Sequence, residues 1–181
     1  MADDRFDALR SFYARLDGNL QQQQAARRAH QAAASTGASS PATHACGTCD
    51  ACCRYHFYLS RHEFEYLRHV AEQRPGAPPL RWVTCSTSIQ DARRTRFDPQ
   101  HRCPLYGPLP AGGHGCLAYE ARPVACRTMG PMLPHHSRMP EGCVYTDPEV
   151  YHSTDAIPGW DELLQLVHEQ GESTRGYFEV S

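Results

Sequence analysis

Apolar residues recur at spacings of three and four over the first twenty positions of the chain. This spacing places them on one face of an α-helix and predicts one or two helices over residues 3–34. The second half of that stretch, QQQQAARRAHQAAA, keeps good helix formers but has almost no apolar face, which predicts an exposed extension. The alternative is a helix on which a protein partner or a second copy docks. The residues of the apolar stripe are Phe6, Leu9, Tyr13, Leu16 and Leu20.

A second helix is predicted to begin at Ser60. Ser60 and Glu63 form the S-x-x-E capping box, in which each side chain bonds to the backbone of the other residue. Leu59 and Phe64 stand on either side of this start, at the two positions of a hydrophobic staple. The apolar face of the helix consists of Phe64, Leu67, Val70 and Ala71.

Helix-breaking residues and local composition predict the remaining elements. Pro75-Gly76 is expected to end the second helix, and residues 80–90 are rich in β-branched and aromatic residues, as in a short strand. A last helix is predicted over residues 160–171, WDELLQLVHEQG. Residues 103–143 are dense in Pro, Gly, His and Cys, and an irregular loop of that length is unusual unless something else, such as metal ligation, holds it in place.

These elements predict a small, mainly helical α+β domain with irregular Cys/Pro/Gly-rich loops stapled by cysteine-ligated metal. We expect an N-terminal helical extension (1–34), a flexible Ser/Ala/Gly/Pro linker (35–45) and a cysteine-cluster metal-binding domain (46–181). With 181 residues and 40% hydrophobic composition, the chain has enough apolar material for one core, but a thin one.

The charge balance excludes several classes of function. There are 20 acidic residues and 18 basic ones, so no global positive field would attract nucleic acid or an anionic membrane. The acidic start of the chain lacks the basic region and apolar run of a secretory signal, and no stretch approaches about 18 consecutive apolar residues. We therefore expect a cytoplasmic protein that associates with neither nucleic acid nor membranes.

The segment CGTCDACC, residues 46–53, holds four of the nine cysteines. Cytosolic thiols are kept reduced, so such a cluster is typical of metal binding or redox chemistry rather than of structural disulfides. On a continuous helix Cys46, Cys49 and Cys53 would share one face. Cys52 would lie about 100° from Cys53. The cluster therefore needs further ligands from elsewhere in the chain, or it divides between two sites.

Eight of the nine cysteines are candidate metal ligands, and Cys85, in the strand-like segment, is interpreted as a core thiol. A closed zinc site commonly takes its four ligands from two closely spaced pairs, which the second half of the chain lacks. Three closely spaced cysteines with a later Cys103-Pro104 are similar to the bacterial ferredoxin run, which favours an iron–sulfur cluster such as 4Fe–4S over a zinc ion. The candidate ligands are Cys46, Cys49, Cys52, Cys53, Cys103, Cys116, Cys126 and Cys143.

Four sequence blocks stand in order along the middle of the chain: CGTCDACC, LSRHEFEYL, CPLY and CLAYEARPVACR. Together they resemble the CxxCxxCC family of zinc- or iron-chelating domains, also described as Fe–S-cluster-containing cysteine cluster proteins. The resemblance covers residues 46–143 and departs from the family pattern at the Gly/Pro-rich insertion PLPAGGHG. It implies metal chelation but leaves the metal and the biological role open. The ligands it implies are Cys46, Cys49, Cys52, Cys53, Cys103, Cys116 and Cys126.

Other side chains near the cysteines are candidate supporting groups. Arg122 and Arg127 flank Cys126, where they would donate hydrogen bonds to a ligating sulfur or form a surface salt bridge with Glu120. Imidazole is an alternative ligand for zinc and iron, and His101 and His114 are the best placed. The histidines close to the cysteines in sequence are His44, His56, His101, His114, His135 and His136.

The sequence predicts a metal-binding protein rather than an enzyme with an activity of its own, because it contains no P-loop, dinucleotide fingerprint or HExxH motif. Two roles follow from the choice of metal. An iron–sulfur cluster would make the protein a redox or accessory module. A zinc ion would make it a metal-handling module or a structural interaction module without redox activity.

Overall fold

The structure is a computed structural model, and it describes residues 4–34, 50, 52–56, 58–85, 96–97, 100–127, 165 and 175–181. The helices are α1 (Asp7–Ala34) and α2 (Arg61–Ala71), and the strands are β1 (Tyr55–His56), β2 (Leu80–Cys85), β3 (Arg96–Phe97), β4 (Tyr106–Pro108), β5 (His114–Cys116) and β6 (Arg175–Val180). Short 3-10 turns span Asp4–Phe6, Cys52–Arg54 and Tyr119–Ala121. The described strands form three two-stranded antiparallel ladders, so the fold is a mixed α+β fold.

Helix α1 and the 3-10 turn before it supply a large part of the hydrophobic core. Every member of the predicted apolar stripe is at most 4% exposed, and Phe12, which the spacing did not single out, is buried with them. The ring of Phe6 packs against Tyr66 of α2, with centroids 5.1 Å apart, and lies beside His62 and His69 of the same helix. The stripe is therefore covered by the chain itself, and a partner that docks on α1 would contact its other faces.

Helix α2 begins where the sequence predicts. The Ser60 hydroxyl oxygen accepts a hydrogen bond from the Glu63 N–H at 3.1 Å, and the Ser60 N–H donates to Oε2 of Glu63 at 2.9 Å. These two bonds complete the capping box. Leu59 and Phe64 are both buried in the same hydrophobic cluster, which agrees with the predicted staple.

The end of α2 differs from the prediction. The helix stops at Ala71 with Glu72 as its C-cap, before the Pro75-Gly76 pair is reached. The N–H of Arg74 then donates to the Ala71 carbonyl at 2.9 Å, and Gly76 turns the chain with a φ of 80°. A proline disfavours helical conformation at the residue before it and clashes with the preceding turn, so the helix ends ahead of it.

Strand β2 pairs with the C-terminal strand β6. The register places Leu80 opposite Val180 at one end of the ladder and Cys85 opposite Arg175 at the other. The prediction of a strand within residues 80–90 is confirmed up to Cys85, and the later positions lie outside the described residues. Strand β6 was not predicted, because the strand is identified by its pairing with β2 rather than by a local pattern.

Part of the region predicted to be an irregular loop has regular structure. Strands β4 and β5 form a hairpin in which Tyr106 pairs with Cys116. Gly112 and Gly113 turn the hairpin with φ values of 92° and 77°, which glycine adopts without steric cost. The Gly/Pro-rich insertion is therefore a hairpin tip. Within the described part of this region, residues 103–127, the prediction of an irregular loop is wrong for the two strands, the 3-10 turn and the helical turn, and it holds for the residues between them.

Several predictions fall on residues outside the described ones. They include the linker at 35–45 and most of the helix predicted over 160–171, of which Gln165 is described and is helical. The division into an N-terminal extension and a cysteine-cluster domain stays a prediction. Within the described part of the chain, no helix combines the length and the apolar character needed to cross a membrane.

Gly176 of β6 lies against both β2 and the start of α2. Its backbone exchanges hydrogen bonds with Leu59 at 2.9 and 3.2 Å. A Cβ at this position would lie 2.3 Å from a ring carbon of Trp82 and 2.4 Å from the carbonyl oxygen of Val83. We expect Gly176→Ala to lower the free energy of unfolding by about 1–3 kcal/mol, because the neighbouring groups must shift to accommodate the methyl group.

The control is Gly18→Ala on α1, where an added methyl group has nothing within 4 Å. This substitution should raise the free energy of unfolding by about 0.5–1 kcal/mol, since alanine is a better helix former than glycine. Urea unfolding followed by circular dichroism measures both changes. An unfolding midpoint of the Gly176 variant equal to that of the wild type would contradict the close approach of the two strands.

His62 is expected to make the stability of the fold depend on pH. Burial lowers the pKa of His62 more than the carboxylates of Glu65 and Glu63 raise it, and Arg5 lowers it further. The stability contributed by the neutral imidazole is therefore complete above the unfolded pKa of about 6.5 and is lost as the pH falls through the folded pKa. Urea unfolding should show a loss of stability from about pH 7.5 to about pH 5.5 that is smaller in His62→Gln. An equal loss in both proteins would contradict this assignment.

Candidate metal centre

Five of the eight cysteines predicted as ligands lie in the described part of the chain. Cys52 and Cys53 are in the 3-10 turn before β1, and Cys103 precedes β4. Cys116 ends β5, and Cys126 lies in a helical turn. All five are free thiols and partly buried, so no disulfide joins them. The predicted ligands outside the described residues are Cys46, Cys49 and Cys143.

The segment that contains Cys52 and Cys53 contacts the segment that contains Cys103. The N–H of Cys103 donates to the carbonyl of Cys53 at 2.8 Å, and the two thiols are hydrogen-bonded to each other. Asp50 reinforces this junction, because its Oδ2 accepts from Arg54 of its own segment at 2.8 Å and from Arg102 of the other at 2.7 Å. Burial alone would raise the pKa of Asp50, but these two hydrogen bonds outweigh it and lower the pKa. The carboxylate is thus held as an anion between two cations.

The β4–β5 hairpin connects Cys103 with Cys116. The N–H of Tyr106 donates to the carbonyl of Cys103 at 2.9 Å, and Tyr106 pairs with Cys116 across the ladder. A hydrogen bond of 2.8 Å from the Leu117 N–H to the Leu105 carbonyl continues this pairing beyond the strands. The register of the hairpin therefore places Cys116 at the same end of the hairpin as Cys103.

Cys126 is positioned by a helical turn over residues 124–127. The carbonyl of Pro123 accepts the N–H of Cys126 at 2.9 Å and that of Arg127 at 3.1 Å. Val124, at the start of this turn, is 1% exposed and belongs to the hydrophobic core. Since one side of the turn is packed in the core, the backbone of Cys126 is anchored at the edge of that core.

The thiols influence one another's ionisation. Burial raises the pKa of Cys116 to about 11. Burial and then the neighbouring Cys116 raise the pKa of Cys126 well above its usual value, although Arg122 opposes the rise. The pKa of Cys53 is raised first by its hydrogen bond with Cys103 and then by burial. Without a bound cation, these thiols are therefore protonated at neutral pH.

The donor set fits a soft metal ion in its chemistry. Thiolates ligate both zinc and iron–sulfur clusters, and a bound cation would offset the burial and mutual repulsion that keep the thiols protonated. The N–H of Ala118 donates to the sulfur of Cys116, as backbone groups do beside ligating thiolates. Within the described residues, no three Cys, His, Asp or Glu side chains lie close enough together to hold one ion. The described thiols alone therefore form no complete coordination shell.

The two arginines predicted as supporting groups have different surroundings. Arg122 lies over the ring of Tyr119, 3.7 Å from its centroid, and its Nε donates to the Tyr119 carbonyl at 3.1 Å. Arg127 is 4% exposed and donates to the backbone carbonyl of Glu120. The carboxylate of Glu120 pairs with Arg74 at the surface. Arg127 is therefore a buried cation whose carboxylate partner is Asp17 rather than Glu120.

Three of the histidines considered as ligands belong to the described residues. The rings of His56 and His101 are 4.0 Å apart between their centroids, and His114 stacks on Tyr106 at 6.3 Å. Within the part of the chain that the structure describes, none of them joins a compact group of three ligating side chains. The other histidines considered, His44, His135 and His136, lie outside the described residues.

The sequence assigned Glu63 only to the capping box, and the structure gives its carboxylate two further partners. Its Oε1 accepts from the Tyr13 hydroxyl at 3.1 Å and from the Val124 N–H at 2.9 Å. Burial and then the charge of Glu63 raise the pKa of Tyr13, so the hydroxyl keeps its proton and donates. These partners are 50 and 61 residues from Glu63, and no local pattern could have revealed them.

The fold and the site together define a small α+β domain that gathers free cysteine thiols at the edge of its core. Residues 45–144 match the model of the CxxCxxCC family, which is described as "Putative zinc- or iron-chelating domain". The match covers more than half of the chain, and the chain belongs to this family. Its limits agree with the span of the resemblance found in the sequence. Neither a search of curated proteins nor a search of solved structures returned a match.

The raised pKa of Cys116 predicts slow alkylation of the folded, metal-free protein. With a pKa of about 11 in place of 9.0, its thiolate fraction near neutral pH is lower by roughly 100-fold. Iodoacetamide labelling followed by mass spectrometry should show Cys116 reacting about 100 times more slowly in the folded protein than in urea. Circular dichroism would confirm that the metal-free sample is folded. Equal rates in the two states would contradict the raised pKa.

Proposed function

We propose that the chain binds an iron–sulfur cluster through its clustered cysteines. The observation that carries this proposal is the meeting of free thiols from separate segments. Cys53 is hydrogen-bonded with Cys103 and lies within electrostatic range of Cys116 and Cys126. Membership of a family described as zinc- or iron-chelating supports a metal as the reason for this arrangement.

The proposed ligand set combines the described thiols with cysteines outside the described residues. Cys53, Cys103, Cys116 and Cys126 are the described members of the set, and Cys52 lies beside Cys53 in the same turn. A 4Fe–4S cluster takes four thiolates, so eight cysteines suffice for two centres or for one centre with alternative ligands. Cys46, Cys49 and Cys143 are proposed to complete the set.

Three features favour an iron–sulfur cluster over a zinc ion. The CxxCxxC run and the later Cys103-Pro104 are similar to a ferredoxin arrangement. The Ala118 N–H donates to the Cys116 sulfur, and the charge of Arg122 lowers the pKa of that thiol. Hydrogen bonds and charges at the sulfurs are the means by which proteins tune the potential of a cluster.

A structural zinc ion is the alternative. A closed zinc site needs four thiolates and no open coordination position. Since no three described side chains of ligating type lie close enough together to hold one ion, such a site would also draw on the cysteines outside the described residues. With zinc the domain would be an interaction or metal-handling module without redox chemistry. With an iron–sulfur cluster it would pass electrons to an enzyme or assist a modification reaction.

The metal is also proposed to stabilise the fold in a cytoplasmic setting, where reduced thiols are available for ligation. Ligation by cysteines from separate segments would close the loops between them and offset their conformational entropy. A protein partner on α1 would bind outside its buried apolar stripe. The metal-binding proposal itself requires no partner.

Metal analysis of protein purified without oxygen tests the proposal. We expect a brown sample with broad absorption near about 400 nm and with iron and acid-labile sulfide in about equal amounts. A colourless sample that holds zinc would support the alternative. A sample that binds neither metal after anaerobic reconstitution would contradict metal binding altogether.

Variants of single cysteines test the ligand assignment in the same assay. Cys103→Ser should lose most of the bound metal, because it removes a ligand and the hydrogen-bond partner of Cys53. Cys85→Ser is the matched control, since Cys85 ends β2 and is interpreted as a core thiol. It should retain the wild-type metal content. Equal metal loss in both variants would contradict the assignment.

A further inference from the structure

We propose that Glu63 and Arg127 are positioning residues that hold Cys126 in place for the metal. This inference rests on the proposed function and adds two side chains that do not themselves ligate. They are 2% and 4% exposed, which is unusual for charged residues. Both hold the backbone of segment 120–127, the part of the chain that carries Cys126.

Glu63 reaches this segment from α2. Its Oε1 accepts the N–H of Val124, two residues before Cys126, at 2.9 Å. Its other oxygen accepts the N–H of Ser60 at 2.9 Å, so the carboxylate is fixed to the start of its own helix. Hydrogen bonds to a buried charge are strong and directional. The position of Val124 relative to α2 is therefore set by this carboxylate.

Arg127 holds the same segment from its other end. Its Nε donates to the carbonyl of Arg122 at 2.7 Å, and its two terminal nitrogens bond to the carbonyl of Glu120 and to the carboxylate of Asp17 on α1. The guanidinium also lies over the ring of Tyr13, 4.0 Å from the centroid. A planar fork with five donors makes all of these contacts at once, which an ammonium group does not.

Glu63 and Arg127 both contact Tyr13 of α1. The hydroxyl of Tyr13 donates to Glu63, and its ring lies under Arg127. Glu63 of α2 and the Arg127 side chain, which contacts α1, therefore both fix the backbone of segment 120–127. A merely structural role for these residues would affect all the thiols alike, whereas a positioning role would affect Cys126 more than Cys53.

The first test is Glu63→Gln, which keeps the size of the side chain but replaces one acceptor oxygen with a donor group. In the metal-free protein, we expect iodoacetamide labelling of Cys126 to become about tenfold faster, because its segment opens more readily, while that of Cys53 is unchanged. Binding of Zn²⁺, measured by chelator competition, should weaken by about 10–100-fold. The control is Glu65→Gln on the same helix, whose partner is the surface residue Arg61, and it should match the wild type.

The second test is Arg127→Lys, which keeps the charge but loses the planar fork. The same selective increase in Cys126 labelling and the same weakening of Zn²⁺ binding are expected. Arg74→Lys is the control, because Arg74 pairs with Glu120 of the same segment at the surface. It should leave both measurements at the wild-type level.

The outcomes separate this inference from the proposed function. A wild-type protein that binds no Zn²⁺ and no iron overturns both. Folded Glu63 and Arg127 variants with wild-type Zn²⁺ affinity and wild-type labelling of Cys126 overturn only the positioning role, as does equal acceleration at Cys53 and Cys126. If Glu63→Gln fails to fold, Tyr13→Phe removes a single donor to Glu63, and a smaller but still selective increase at Cys126 is expected.

Discussion

The carboxylate of Glu63 is 2% exposed and accepts hydrogen bonds from α1, from its own helix and from the segment before Cys126. Burying a carboxylate costs on the order of several kcal/mol unless its oxygens are hydrogen-bonded. The fold must therefore bring Tyr13, Ser60 and Val124 to the same place. The packing of α1 against α2 and the position of segment 120–127 thus depend on one another.

Apolar side chains surround the hydrogen bonds of Glu63 and shield them from water. The stripe of α1 and the inner face of α2 form most of the hydrophobic cluster, and Leu105 and Val124 extend it to the cysteine segments. Strand β6 lies against the start of α2 through Leu59 and pairs with β2 along its length. The thiols consequently sit at the edge of a packed core, where burial disfavours the thiolate and a bound cation would restore it.

The arrangement of the thiols follows from backbone pairing. The hydrogen bond between Cys103 and Cys53 joins the first two cysteine segments, and the β4–β5 register brings Cys116 to the same end of the hairpin as Cys103. Asp50 holds two arginines at this junction, and its carboxylate raises the pKa of the Cys53 thiol more than Arg102 lowers it. A metal would therefore meet donors already positioned by main-chain hydrogen bonds, which lowers the entropy lost on ligation.

Local sequence patterns determined the helical stripe of α1, the capped start of α2, the strand that begins at Leu80 and the cysteine blocks that place the chain in its family. These features depend on residues a few positions apart, so periodicity and spacing reveal them. Only the tertiary structure decided the burial of the α1 stripe, the β4–β5 hairpin, the pairing of β6 and the contacts of Glu63 and Arg127. Most of these contacts join segments that are distant in the sequence. Whether a charged side chain is buried depends on what the rest of the chain brings against it, which no local pattern contains.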